Sequence, residues 1–211
     1  MMPGMPIAVR PATPADPVHE LLYESARPYY DAYAGSEERA RALLAAVYTR
    51  RGHAASFEVC AVGELDGAPA GVIAWFPVSE GDHRARRFVS LTAPRIPPWR
   101  WPGLLRHLRA AGLVAPHPPP DTLYVDALAV EPGLRRRGVA SALLARAEEA
   151  AAAAGLSGVT LDTGLHNEGA RALYEATGYR TREVRRAPSD AVAAAVGGPG
   201  FIGYFKPVSR W

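Results

Sequence analysis

The sequence predicts an α/β fold, a mixed (α+β) sheet covered by helices, from three observations. First, short apolar β-favouring runs alternate with stretches of helical periodicity along the whole chain of 211 residues. Second, Leu123 to Ser141 (LYVDALAVEPGLRRRGVAS) starts as a β-rich run and turns at Pro132-Gly133. It then passes three arginines and enters an alanine- and leucine-rich helix at Gly138. Third, Asp66-Gly67 separates two apolar runs and reads as a tight hairpin turn. With 48% hydrophobic and 21% charged residues the chain can bury one sizeable core. The expectation is a single domain over residues 1–211 with an elaborated insert at about 77–121.

Ile7 to Arg10 is a short alternating strand. It is followed by Thr13-Pro14-Ala15-Asp16, where Thr13 can N-cap a helix, Pro14 can take its first position and Asp16 can complete a capping box. Leu21, Leu22 and Tyr23 supply that helix with apolar contacts. Ser36-Glu37-Glu38 caps a second helix running to about Arg51, with Ala42, Leu43, Ala46 and Val47 at helical spacing and Gly52 as its stop. Phe57 to Leu65 and Ala70 to Phe76 are the two arms of the hairpin, read as the edge of a meander. Cys60, inside the first arm, is a small buried hydrophobe rather than a nucleophile, since no basic neighbour is evident to lower its pKa.

Pro77 to Asp121 is the least regular part, with a helix over Leu104 to Ala111 and a proline run ending at Pro120. It reads either as a lid or pocket wall, or as a surface elaboration anchored by Trp99 and Trp101. After the strand Leu123 to Val130, the helix Gly138 to Ala154 places Val139, Leu143, Leu144 and Ala147 on one face. Val159 to Thr163 is a strand, Gly169 to Thr177 a helix, Tyr179 to Arg186 a strand and Phe201 to Pro207 the last strand. The stretch Ala187 to Gly200 is expected to be a mobile loop.

Composition narrows the function classes. A net charge of +3, carried almost wholly by arginine with Lys206 the one lysine, is too small to argue for nucleic acid. A single cysteine excludes an intramolecular disulfide framework and fits a reducing compartment. The start MMPGMPIAVR has no cationic segment followed by an apolar one, and no stretch approaches a spanning helix. The expectation is a soluble, cytoplasmic protein without membrane or nucleic-acid partners, for which a homodimer stays open.

Phosphate-binding motifs separate quickly. Gly198, Gly200 and Gly203 form a literal G-x-G-x-x-G, but it precedes a strand and opens no helix, so it fails the context of a dinucleotide fingerprint. No G-x-x-x-x-G-K-[ST], no G-x-S-x-G and no Cys/His metal spacing occurs, so no metal is expected. In contrast, Arg135-Arg136-Arg137-Gly138-Val139-Ala140 follows a strand and begins a helix, where unpaired amides and the helix dipole favour an anion. This resembles the Q/R-x-x-G-x-G/A signature of the GNAT superfamily of N-acetyltransferases. Leu128-Ala129-Val130 before it, and Asn167, Ala170, Leu173-Tyr174 and Gly178-Tyr179 after it, are similar to the same family's pattern. The matching order is strand, two helices, two strands, insert, then strand, helix, strand, helix and two strands. A solvated arginine turn or a nucleic-acid patch is the competing reading of the triplet.

The resemblance implies an acetyl-CoA-dependent N-acetyltransferase. Its pyrophosphate would lie on the backbone of Arg137 to Ser141, with Arg135, Arg136 and Arg137 adding charge and Gly138 and Ala140 allowing close approach. It further implies that the strand Leu123 to Val130 carries a bulge and splays from Val159 to Thr163, so that the pantetheine arm pairs with Leu128, Ala129 and Val130. Asn167 falls at a cofactor-contacting position, with a helix cap as its ordinary alternative. Tyr174 falls at the position beside the thiol and is the expected general acid as well as a cofactor contact. For the base, strand alternation puts Tyr124, Asp126 and Leu128 on one face. An acid in an apolar strand costs free energy unless paired or functional, so Asp126 is the candidate, with Glu131 second and an arginine ion pair as the plain alternative. The acceptor is then a primary amine of a small molecule or peptide. A non-catalytic acyl-CoA sensor of the same fold is the rival reading.

Overall fold

The computed structural model describes residues 7–208. In chain order the elements are β1 (Ala8–Pro11), α1 (His19–Ser25), α2 (Arg27–Ala34), α3 (Glu37–Tyr48), β2 (Cys60–Leu65), β3 (Ala68–Pro77), α4 (Gly81–Thr92), α5 (Trp101–Val114) and β4 (Thr122–Val130). They continue with α6 (Val139–Ala153), β5 (Gly158–Gly164), α7 (Glu168–Ala176), β6 (Arg180–Arg186), α8 (Asp190–Val196) and β7 (Gly200–Pro207). The seven strands form one mixed sheet in the order β1-β2-β3-β4-β5-β7-β6. Among the described residues β4–β5 is the parallel pair, and α6 makes the crossover that parallel neighbours require.

Each face of the sheet buries its own cluster. Val62, Val72, Ala74, Phe76, Ala127 and Ala129 pack against Leu22, Tyr23, Leu43 and Leu44 of α1 and α3. On the other face Ile73, Leu123, Val125, Val159 and Leu161 meet Val139, Leu143, Leu144 and Ala147 of α6. Each fully buried side chain of this kind contributes about 1.5–3 kcal/mol, so both helical layers are held mainly by apolar burial. Gly71 permits the close approach of α6 to the sheet: a Cβ there would sit 2.9 Å from the Ala129 carbonyl and 3.0 Å from Val139.

The structure corrects several expectations. The first helix begins at His19, not Thr13, because Pro17 interrupts the turn; Asp16 does accept from the Thr13 amide at 2.6 Å, its half of the expected capping box, and also pairs with Arg10 at 2.7 Å. The Arg10 guanidinium holds the Asp16 carboxyl well below the usual carboxylate range. Three helices rather than two precede the hairpin, since α1 ends at Ser25, Ala26 separates the two, and α2 starts at Arg27 with Pro28 in its first turn. Ser36 does cap α3, accepting from Arg39 N at 3.4 Å. Asp66 and Gly67 both take positive φ in the predicted turn, but its arms β2 and β3 lie inside the sheet, with β1 outside them.

The segment between β3 and β4 holds α4 as well as the expected helix. Trp99 and Trp101 do not anchor it: they are 78% and 48% exposed, whereas Ile96, Leu104 and His107 are buried. Ala187 to Gly200 is not a bare loop, because Ser189 caps α8 and Val196 packs on Ala110 and Val114 of α5. Gly200 and Gly203 lie in β7, which rules out the dinucleotide reading of that motif. Among the described residues no helix is long and apolar enough to cross a membrane.

Candidate active site

The site grows from an irregularity in β4. The β3–β4 register pairs Phe76 with Tyr124 and Trp75 with Val125, then Ala74 with Ala127 and Ile73 with Leu128. Asp126 is therefore the extra residue of a β-bulge. The bulge shifts the strand's phase by one residue. Leu123 and Val125 before it, and Leu128 and Val130 after it, face the α6 cluster, while Tyr124, Ala127 and Ala129 pack on the opposite face. The alternation that put Leu128 beside Tyr124 and Asp126 is thereby corrected. The β4–β5 pairing runs from Thr122–Gly158 to Val125–Leu161 and stops, so Asp126 and Asp162 are the first residues past a fork between the strands.

A cavity of about 630 Å³ opens along β4, the start of α6 and α7. Leu128 to Val130, Arg135, Arg136, Gly138 to Ser141, Asn167 and Tyr174 line it. Of the expected cofactor positions only Arg137 is outside this lining. The sequence reasoning missed Glu24 and Ser25 at the end of α1, which also line the cavity; no local signal marks them, because the chain fold alone brings α1 there.

The turn into α6 is built for an anion. Arg136 and Gly138 take φ of 63° and 86°, and Gly138 is an N-cap with no side chain to satisfy the first amides of a fifteen-residue helix. The Arg135 Nε donates to the Val130 carbonyl at 3.2 Å, tying the turn to the strand end. A Cβ on Gly138 would meet Ile7 only at 3.5 Å, so conformation rather than space requires glycine. Gly138→Val is expected to cost about 1–3 kcal/mol where the turn must form. Calorimetric titration should then show CoA affinity falling roughly five- to a hundredfold, and unchanged affinity would refute this role.

Tyr174 lines the cavity from α7 while its ring packs on Tyr204 and Tyr179 at 5.6 and 6.1 Å. Burial, and then the Asp162 charge, hold its phenol well above the ordinary value, so it stays a proton donor at neutral pH. Asn167 caps α7, its Oδ1 accepting from Ala170 N at 3.2 Å, and faces the same cavity.

Asp126 and Asp162 sit at the fork with aromatic neighbours. Burial, then the Asp162 charge, push the Asp126 carboxyl up to about 7. Burial also raises Asp162, opposed by the Tyr124 hydroxyl that donates to it at 2.6 Å. Tyr29 and Tyr30 of α2 feel the Asp126 charge, after burial, as an upward shift of their phenols. Tyr29 contacts His107 of α5 edge-on at 4.5 Å. The His107 Nδ1 lies 2.8 Å from the Ala195 carbonyl and so carries the proton, leaving a buried Nε2 without a partner among the described residues.

Among the described residues no arginine is ion-paired with Asp126, which sets aside the plain alternative for it. Glu131 is exposed beyond the strand end, away from the fork. Asp162 went unnoticed in the sequence although it carries the same signal as Asp126, an acid inside an apolar run (VTLDT). No group of three or more metal-ligating side chains occurs among the described residues.

A model of the acetyltransferase (GNAT) family matches residues 18–179. The chain belongs to that family, whose acyl donor is acetyl-CoA. In structure it is similar to an acetyltransferase at 19% identity, covering 96% of this chain and 100% of that one with a TM-score of 0.67. An N-acetyltransferase from Staphylococcus aureus is similar at 16% identity, with 94% and 100% covered and a TM-score of 0.67. An IAA acetyltransferase from Bacillus cereus follows at 16%, with 96% and 100% covered and a TM-score of 0.55. No curated protein matches the chain in sequence.

Proposed function

We propose that the protein is an N-acetyltransferase that transfers an acetyl group from acetyl-CoA to a primary amine by direct attack in a ternary complex. The observation that carries this reading is the bulge at Asp126. It sets a carboxyl pushed up to about 7 at the fork of β4 and β5, two residues before Leu128, where the lining of the cavity that ends on the uncapped start of α6 begins. Acetyl-CoA, when bound, would supply an activated thioester in which the C–S bond is exchanged for the new C–N bond.

The protein's residues divide the remaining tasks. Amides of Val139, Ala140 and Ser141, opened by Gly138 and assisted by Arg135, Arg136 and Arg137, hold the pyrophosphate. The backbone of Leu128, Ala129 and Val130 receives the pantetheine arm and offers an N–H to the carbonyl where negative charge develops. Asn167 orients the arm from α7. Asp126 takes the proton released from the amine, directly or through water. Near pH 7 it is about half ionised, a poise suited to a general base. Tyr174 keeps its phenolic proton for the departing sulfur. We place all of this in one domain, with His107 of the 77–121 segment, packed on Tyr29 of α2, on the acceptor side.

The test is release of free thiol from acetyl-CoA with a panel of amines, read beside thermal unfolding. CoA at 100 times its dissociation constant should stabilise the fold by about 2.7 kcal/mol. Stabilisation with no thiol release for any amine would instead favour the acyl-CoA sensor, and no stabilisation would remove the cofactor assignment.

A further inference from the structure

The net charge of +3 conceals a division along the chain. Between His83 and Pro120 stand seven arginines and no aspartate or glutamate, which leaves the rest of the chain at net −4. Arg86, Arg87, Arg95, Arg100, Arg106 and Arg109 are exposed. Apart from Arg86, 3.9 Å from Asp82, none of these six is ion-paired among the described residues. The same stretch holds four of the five large hydrophobic side chains that the described residues leave in solvent: Trp99 at 78%, Trp101 at 48%, Leu105 at 51% and Leu113 at 53%.

Helix α5 brings the two features together. Leu104, His107, Ala110 and Val114 form its buried face. Trp101, Leu105, Arg109 and Leu113 recur every four residues on the outward face, with Arg106 beside them. The Trp101 Nε1 donates to the Ile96 carbonyl at 3.0 Å, which holds that ring at the surface, and Trp99 stands just ahead of the helix. The patch ends where β6 comes up: Arg185 donates to the Leu113 carbonyl at 3.0 Å and pairs with Glu183.

An apolar row set among unpaired arginines suits a partner that is apolar within and anionic at its surface. A second copy of the chain does not fit, because a two-fold contact would set this face on itself and oppose the arginines. Single-stranded nucleic acid would use the arginines and indoles, through phosphate contacts and stacking, but gives Leu105 and Leu113 no role. A bilayer uses all of them: tryptophan settles at the boundary of headgroups and acyl chains, leucine enters below it, and arginine reaches the phosphates. We infer that the outward face of α5, with Trp99 ahead of it, docks the protein on a bilayer carrying anionic lipids. The contact is peripheral, since the other face of α5 stays buried in the fold and among the described residues no helix is long and apolar enough to cross a membrane.

Flotation of the whole chain with vesicles tests this, using phosphatidylcholine alone and phosphatidylcholine mixed with phosphatidylserine. At low salt the mixed vesicles are expected to carry the protein, with a blue shift of its tryptophan emission, and the neutral ones to leave it behind. Arg106→Gln with Arg109→Gln should weaken partition into the mixed vesicles about thirtyfold. Leu105→Gln with Leu113→Gln should weaken it about tenfold or more, and Trp99→Phe with Trp101→Phe should remove the blue shift. No binding to mixed vesicles, equal binding to neutral and mixed ones, or full binding by the leucine variant would each overturn the inference. So would tighter binding of oligothymidylate than of mixed vesicles, which reassigns the face to nucleic acid, or a dimer that the leucine variant breaks, which reassigns it to a second copy. The comparison of neutral with mixed vesicles needs no variant and decides the matter even if a variant fails to fold.

Discussion

Asp126→Asn is expected to lower kcat/KM for amine acceptors by about two to four orders of magnitude, the usual contribution of a positioned base. In the wild type the carboxyl titrates at about 7, so activity should rise with pH through that value and level off above it. The variant should lose this limb. The same shift has a stability consequence of opposite sense. Because the folded value lies above the unfolded value of about 3.9, the folded state binds more protons between about pH 4 and pH 7, and its stability falls as pH rises through that window. The Asn variant should lack that decline and unfold at an equal or higher temperature at pH 8. An unaltered pH–rate profile would remove Asp126 as the base.

The second large effect is on proton delivery to the leaving thiolate. Tyr174→Phe keeps the ring contacts with Tyr179 and Tyr204 and removes only the donor. Single-turnover experiments should show the chemical step slowed about a hundredfold or more. CoA affinity should stay within a few-fold, since in the proposed arrangement the pyrophosphate is held by the start of α6 rather than by α7. A single-turnover rate equal to that of the wild type would exclude the phenol as the acid.

Much of the cavity wall is local in sequence and was legible there. The turn Arg135 to Ser141, the helix behind it, the cap at Asn167 and Tyr174 two turns into α7 all follow from short-range signals. Elements whose apolar face is thin were harder to read. Helix α4 carries Asp82, Arg84, Arg86 and Arg87 among few hydrophobes, and Thr92 is its only fully buried residue. Helix α8 exists because Val196 finds Ala110 and Val114 on α5, a contact between distant stretches of chain. Trp99 misled for the reverse reason: a large apolar side chain suggests an anchor, yet Ile96 takes that place and leaves the indole in solvent.

The acid pair marks the boundary between the two kinds of information. Which residues form strands, where α6 starts and where glycine must stand depend on φ preferences, capping and periodicity within about ten residues, so the order of letters is enough to read them. That Asp126 bulges out of β4, that pairing with β5 ends one residue earlier, and that the Asp126 charge consequently reaches the phenols of Tyr29 and Tyr30 depend on the register of three strands and the docking of a helix from far along the chain. Each carboxyl is an ordinary aspartate in its own segment. Burial with no cation at hand raises both, the Asp162 charge adds to the shift of Asp126, and only packing brings that about.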